Sequence, residues 1–228
     1  MSRLLKLLPA SVLLGAAATA LGNGGGAMPA PSAAAPRVET PQQKAHALYN
    51  DGVRYVKKAD KAQSESDQAT DASRKDKAAR DAHDRYASSL EKFQQAVELD
   101  PQLYEGWNYV GYTSRRLGHY DDALAAYDKA LALKPGYPDA IEYRGEAYLA
   151  VKRISDAQQA YLDLFAGNRA LADKLLAAMK AWVAAQRASA AGTGAAGVDE
   201  LDKWIQERAQ IAGQTAALTR AGAAASWR

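Results

Sequence analysis

Phe93, Ala96, Leu99 and Pro101 recur at one fixed offset as Tyr127, Ala130, Leu133 and Pro135. The same offset carries Gly111 onto Gly145, Ala123 onto Ala157 and Tyr127 onto Tyr161. A fixed period constrains the chain more than any single motif does. One unit of this size cannot bury its own apolar face, so it must stack on copies of itself. Within each unit the repeated residues fall at helical rather than alternating spacings. The expected fold is therefore all-α, built from stacked helix pairs.

The unit at 104–137 shows how such a pair closes. Gly111 and Ala123 lack bulk where two helices cross, and Trp107 and Tyr127 fill the space beside that crossing. Gly118 supplies the turn between the helices, and Pro135 ends the second one because it cannot continue the hydrogen-bond ladder. With Val110, Tyr120 and Ala130, these residues resemble the tetratricopeptide repeat. Ser114 departs from it, standing where the family has a large aromatic. The resemblance implies a solenoid of about three helix pairs that binds a protein or peptide rather than catalysing a reaction.

The unit at 138–171 keeps Ile141, Gly145, Tyr148, Ala157 and Tyr161, but places Lys152 where glycine is usual and Arg169 where proline is usual. The first unit, 44–101, is split. Leu48, Gly52 and Tyr55 mark its opening helix, and Tyr86, Ser89, Phe93, Ala96 and Pro101 its closing one. The interval from Gly52 to Gly111 is nearly twice that from Gly111 to Gly145, so an insertion lies inside the first unit, at about 57–80. Neither Gly nor Pro occurs from Val53 to Asp100, which favours two long helices with a reversal near Ser66 to Ser73. This charged, alanine-rich insertion reads as a solvated helical extension, as an arm that meets a partner, or as simple disorder.

Beyond the repeats, Leu171, Leu175, Met179, Trp182 and Val183 form one apolar stripe, and Leu201, Trp204, Ile205 and Arg208 outline a shorter helix. Solenoids need terminal elements over the exposed end of the stack, so 172–212 reads as capping helices and 213–228 as a tail without pattern.

The start of the chain reads as an export signal. Arg3 and Lys6 precede an apolar stretch, Leu7–Leu21, and Ala18-Thr19-Ala20 offers a cleavage site. The stretch is short of the ~20 residues a spanning helix needs. Residues 1–20 are thus expected to be a signal peptide and 21–43 a flexible Gly/Ala/Pro linker, which places the protein in a bacterial periplasm. Retention of the signal would instead give a membrane tether. The chain has no cysteine, which excludes disulfides and an N-terminal lipid on cysteine. Its net charge of +3 falls to about +1 without Arg3 and Lys6, too little to point to nucleic acid.

Catalytic patterns are weak. Gly192–Gly197 spells G-x-G-x-x-G, but no strand precedes it, so the phosphate-binding mechanism of that motif has no βαβ context. His46, His83 and His119 lie in separate segments without ligand spacing. No enzyme, cofactor, metal or small-molecule substrate is expected.

In the tetratricopeptide family the first helix of each pair lines the concave groove. Carried onto this chain, the groove positions are Glu105, Asn108, Tyr112, Arg115 and Arg116 in the second unit. Tyr49, with His46, Val53, Val56 and Lys57, takes them in the first, and Glu142 and Glu146, with Asp139, Leu149 and Ala150, in the third. The lysine and asparagine pattern by which some members clamp a C-terminal carboxylate is not matched. Two readings stay open: a scaffold gathering envelope proteins or peptides in this groove, and an assembly accessory of an envelope complex working through the arm and caps.

Overall fold

The computed structural model describes residues 39–189 and 196–225, and among them contains eight α-helices and no strand. They fall within one compact unit, Glu39–Arg228. The expected signal peptide and most of the expected linker lie outside the described residues.

The first pair consists of α1 (Pro41–Gln68) and α2 (Ala72–Leu99), equal in length. The second is α3 (Tyr104–Arg116) with α4 (Tyr120–Leu133), and the third α5 (Pro138–Ala150) with α6 (Ile154–Gly167). Then come α7 (Arg169–Ser189) and α8 (Ala196–Ala225). Both ends of α5 and α6 lie one full period after those of α3 and α4.

Helix α1 starts earlier than the apolar pattern suggests, because Thr40 is a capping residue. Its side chain accepts from the Gln43 backbone at 3.2 Å, while the Gln43 side chain accepts from the Thr40 backbone at 2.9 Å. Pro41 fits the first helical position, where its missing N–H costs nothing.

Each pair closes on a large ring set against a small residue. Phe93, Tyr127 and Tyr161 are fully buried, as are Ser89, Ala123 and Ala157. A Cβ added to Gly52 would lie 2.7 Å from the Phe93 ring, and one on Gly111 would lie 2.5 Å from Tyr127. In the third pair the space beside Gly145 is taken by Leu175 of α7, at 2.6 Å. Tyr161 turns to the cap instead, with Trp204 of α8 edge-on to it at 5.3 Å.

The turns repeat as closely as the helices. Gly118 and Lys152 both have positive φ, at 83° and 60°. The following residues, His119 and Arg153, each donate a backbone N–H back across the turn at 2.8 Å, to Ser114 and Tyr148. Lys152 therefore takes a left-handed conformation that glycine adopts without strain. At the other end of the units, Asp100, Lys134 and Asn168 stand at equivalent positions and share nearly the same backbone angles, with ψ of 87°, 86° and 86°. Asn168 keeps that geometry with Arg169 rather than proline after it. Its side chain accepts from the Leu171 backbone at 3.1 Å and so opens α7 as it closes α6.

The insertion is the outer part of the α1–α2 hairpin, reversing at 69–71. It is not solvated on every side. Ala59, Ala62, Ser66 and Ala82 are buried between the two helices, and Ser66 donates to the Lys75 carbonyl at 3.1 Å. At the far end, Leu201 and Ile205 are buried, and Arg187 of α7 holds Asp199 and Asp202 at 2.8 and 2.9 Å. Helix α8 continues through Ala225, where the sequence shows no apolar stripe. Alanine's high helix propensity extends a helix without a packing pattern to mark it.

Candidate binding face

The opening helices of the three pairs put tyrosines side by side. Tyr49 of α1 stands edge-on to Tyr109 of α3 at 5.6 Å, Tyr109 to Tyr112 at 6.2 Å, and Tyr112 meets Tyr143 of α5 at 5.0 Å. Tyr109 and Tyr112 are one helical turn apart and so share a face. Phe93 backs the row, stacked on Tyr109 at 4.8 Å. All four tyrosines are half-buried, which leaves part of each side chain open to a partner.

Burial holds these hydroxyls in the protonated form. It pushes Tyr49 up to about 12, with neighbouring Tyr109 and Glu105 adding to the effect. Tyr109 is raised by burial and then by the carboxylates of Asp139 and Asp60. Tyr49 and Tyr109 therefore keep their hydroxyl protons across neutral pH, while the proton of Tyr112 is given to Asp60 in a hydrogen bond.

Beneath the row lie two polar clusters. Asp60 accepts from the hydroxyls of Tyr86 at 2.5 Å and Tyr112 at 2.7 Å, with the Arg116 guanidinium 5.0 Å above the Tyr86 ring. Arg115 pairs with Glu146 at 2.6 Å, and Lys174 of α7 pairs with Glu142 at 3.0 Å. Glu142 is wholly buried. Burial and the neighbouring Glu146 carboxylate push the Glu142 carboxyl up to about 8, with Lys174 opposing them.

The expected groove residues fall into two groups, those buried or paired within the chain and those open on the face. Arg115 and Arg116 are not a free basic pair awaiting a partner. Arg115 is committed to Glu146, and Arg116 lies against Tyr86. Glu142 is a core residue, although its Oε1 lacks a hydrogen bond. Asn108 is also buried, at 2% exposure, with Oδ1 unpartnered. Tyr49, Tyr112 and Glu105 remain partly open on the face, and His46 is exposed on α1.

Counting equivalent repeat positions misses Tyr109, Tyr143 and Asp60. The contacts of α3 with α5 do not join equivalent positions. Tyr112 meets Tyr143 and Arg115 meets Glu146, in each case almost one helical turn before the equivalent residue. Asp60 comes from the insertion, which no repeat position describes. The tyrosine density from 104 to 148 is the signal that could have found the row.

A second concavity of about 660 Å³ lies on the other side of α3, between α2 and α4. Val97, Val110 and Ala126 form its floor, and Glu98, Asp122 and Lys129 stand among its lining residues. Lys129 sits 4.1 Å over the Trp107 ring there.

A tetratricopeptide repeat model matches residues 104–137. No curated protein matches the chain. Among solved structures, the chain is similar to the first tetratricopeptide domain of Spaghetti (RPAP3), bound to the HSP90 peptide SRMEEVD. The identity is 19% and the TM-score 0.46, over 62% of this chain and 95% of that one. It is also similar to the TPR2B domain of yeast Sti1 in complex with pHsp70, at 16% identity and a TM-score of 0.38, over 72% and 98%. Residues 104–137 thus carry a tetratricopeptide repeat, closed by α3 and α4, and α5 and α6 repeat its helix boundaries one period later.

Proposed function

We propose that this protein is a non-enzymatic scaffold that binds a protein or peptide partner on the face formed by α1, α3 and α5. The observation that carries this reading is the continuous row Tyr49–Tyr109–Tyr112–Tyr143, which spans three helices and stays half-open. Tyrosine supplies large contact area at low entropic cost and places a donor at its tip, the combination that binding surfaces favour. The tetratricopeptide repeat matched over 104–137 is in keeping with it, since stacked helix pairs build extended concave surfaces.

Affinity capture tests the reading. Full-length protein should lose its partner when Tyr49 and Glu105 are both changed to Ala, and keep it when residues 64–77 are replaced by a short Gly-rich turn. Loss on arm replacement alone favours the second reading, an assembly accessory of an envelope complex acting through the hairpin and caps. That reading draws on the mixed-charge outer hairpin, where Lys58, Lys61, Glu65, Asp81 and Arg85 cluster.

The scaffold works, on this reading, in the bacterial periplasm, because Arg3, Lys6 and the apolar run to Leu21 have the layout of an export signal. N-terminal sequencing of native protein should return a start near Leu21. A start at Met1 or Ser2 contradicts cleavage.

A further inference from the structure

We infer that the mouth between Tyr49, Tyr109, Glu105 and Asp139 binds a lysine or arginine side chain of an extended partner segment. This rests on the scaffold reading and adds the chemistry of the partner.

The tyrosines of this face already bind cations from the chain itself. Lys174 Nζ lies 4.7 Å from the Tyr143 ring centroid, and the Arg115 guanidinium lies 5.6 Å from that of Tyr112. Lys134 Nζ is 4.2 Å from the Tyr104 centroid and 5.2 Å from that of Tyr137, and also donates to the Tyr104 hydroxyl at 2.7 Å. Electron-rich ring faces attract such cations, and more strongly where water is partly excluded. Among the described residues, no cation sits on Tyr49 or Tyr109, and no ion pair engages Glu105 or Asp139.

The local charge has the right sign. Glu105 stands one helical turn before Tyr109 on α3, and Asp139 one turn before Tyr143 on α5, where α5 packs on α3. The raised hydroxyls of Tyr49 and Tyr109 agree with carboxylates nearby. Arg115, Lys174 and Arg116 are already taken up by Glu146, Glu142 and Tyr86. What remains open around Tyr49 and Tyr109 is acidic and aromatic.

An independent feature points to a donor. Asn108 is 2% exposed and its Oδ1 has no hydrogen bond. The register that joins Tyr112 to Tyr143 and Arg115 to Glu146 sets Asn108 opposite Asp139. A buried acceptor left unpaired is costly, and an incoming ammonium or guanidinium supplies the missing donor. Lysine and arginine carry several N–H groups each, so one side chain can donate to more than one acceptor.

The test uses the full chain and three dodecapeptides on one Gly-Ser frame, carrying two central arginines, two glutamates or two norleucines. Binding is followed by backbone amide shifts. The arginine peptide should move the signals of Tyr49, Glu105, Tyr109 and Asp139 and bind at least tenfold more tightly than either other peptide. Glu105→Gln with Asp139→Asn, which keeps the shapes and removes the charges, should weaken it tenfold while the other two peptides are unaffected. Tighter binding of the glutamate or norleucine peptide at this face overturns the cation inference and leaves the scaffold reading standing. Failure of all three to perturb the face overturns both. Arginine-peptide shifts confined to the outer hairpin also overturn the inference.

Discussion

Arg115 on α3 and Glu146 on α5 are joined at 2.6 Å, with only 14% and 19% of their side chains exposed. The bond ties consecutive repeats together across their inner face. Arg115 also lies near two rings, 5.6 Å from Tyr112 and 5.8 Å from Tyr143. Its charge thus serves the stack rather than a partner. Arg115→Ala leaves Glu146 half-buried without its cation and one turn from Glu142. The expected loss is roughly 1–3 kcal/mol, between that for an exposed pair and that for a fully buried one. Urea melts of the variant check this, and an unchanged midpoint contradicts the pairing.

Glu142 makes stability depend on pH. Its carboxyl is pushed from the ordinary 4.5 up to about 8, so the folded protein holds a proton that the unfolded chain releases between those values. The resulting contribution is complete below pH 4.5, declines as pH rises, and is lost above about 8. Glu142→Gln keeps a neutral acceptor for Lys174 and removes the titration. Urea midpoints at pH 5, 7 and 9 should fall more steeply for the wild type than for the variant. Parallel profiles contradict the assignment.

Lys152 sits at φ 60° in a turn where the preceding repeat has Gly118 at φ 83°. A side chain in the left-handed region crowds its own carbonyl, and glycine does not. Lys152→Gly should stabilise the fold by about 1 kcal/mol. A lower thermal midpoint for the variant contradicts this.

Much of the fold was legible because its rules are local and repeated. Gly111 against Tyr127, Pro135 after a helix and the Gly/Pro-free run from Val53 to Asp100 each carry their own geometric reason. The site was less legible. Arg115 looks exposed from its charge, and only the contact with α5 shows it half-buried. Tyr109 falls outside the groove positions carried over from the family, yet Phe93, from the preceding pair, stacks on its ring and also meets Tyr49. Asp60 belongs to an insertion, so no period predicts that it receives two tyrosine hydroxyls. Contacts between elements decide these cases, and a pattern along one helix does not contain them.

Site-specific photocrosslinking in the native cell tests the central claim most directly. A benzoylphenylalanine placed at Glu105 reports on the tyrosine face, one at Lys77 on the outer hairpin, and one at Ala125 on the cavity between α2 and α4. The account predicts a discrete protein adduct from Glu105 and none from the other two positions. Adducts from Lys77 or Ala125, with Glu105 silent, would contradict it.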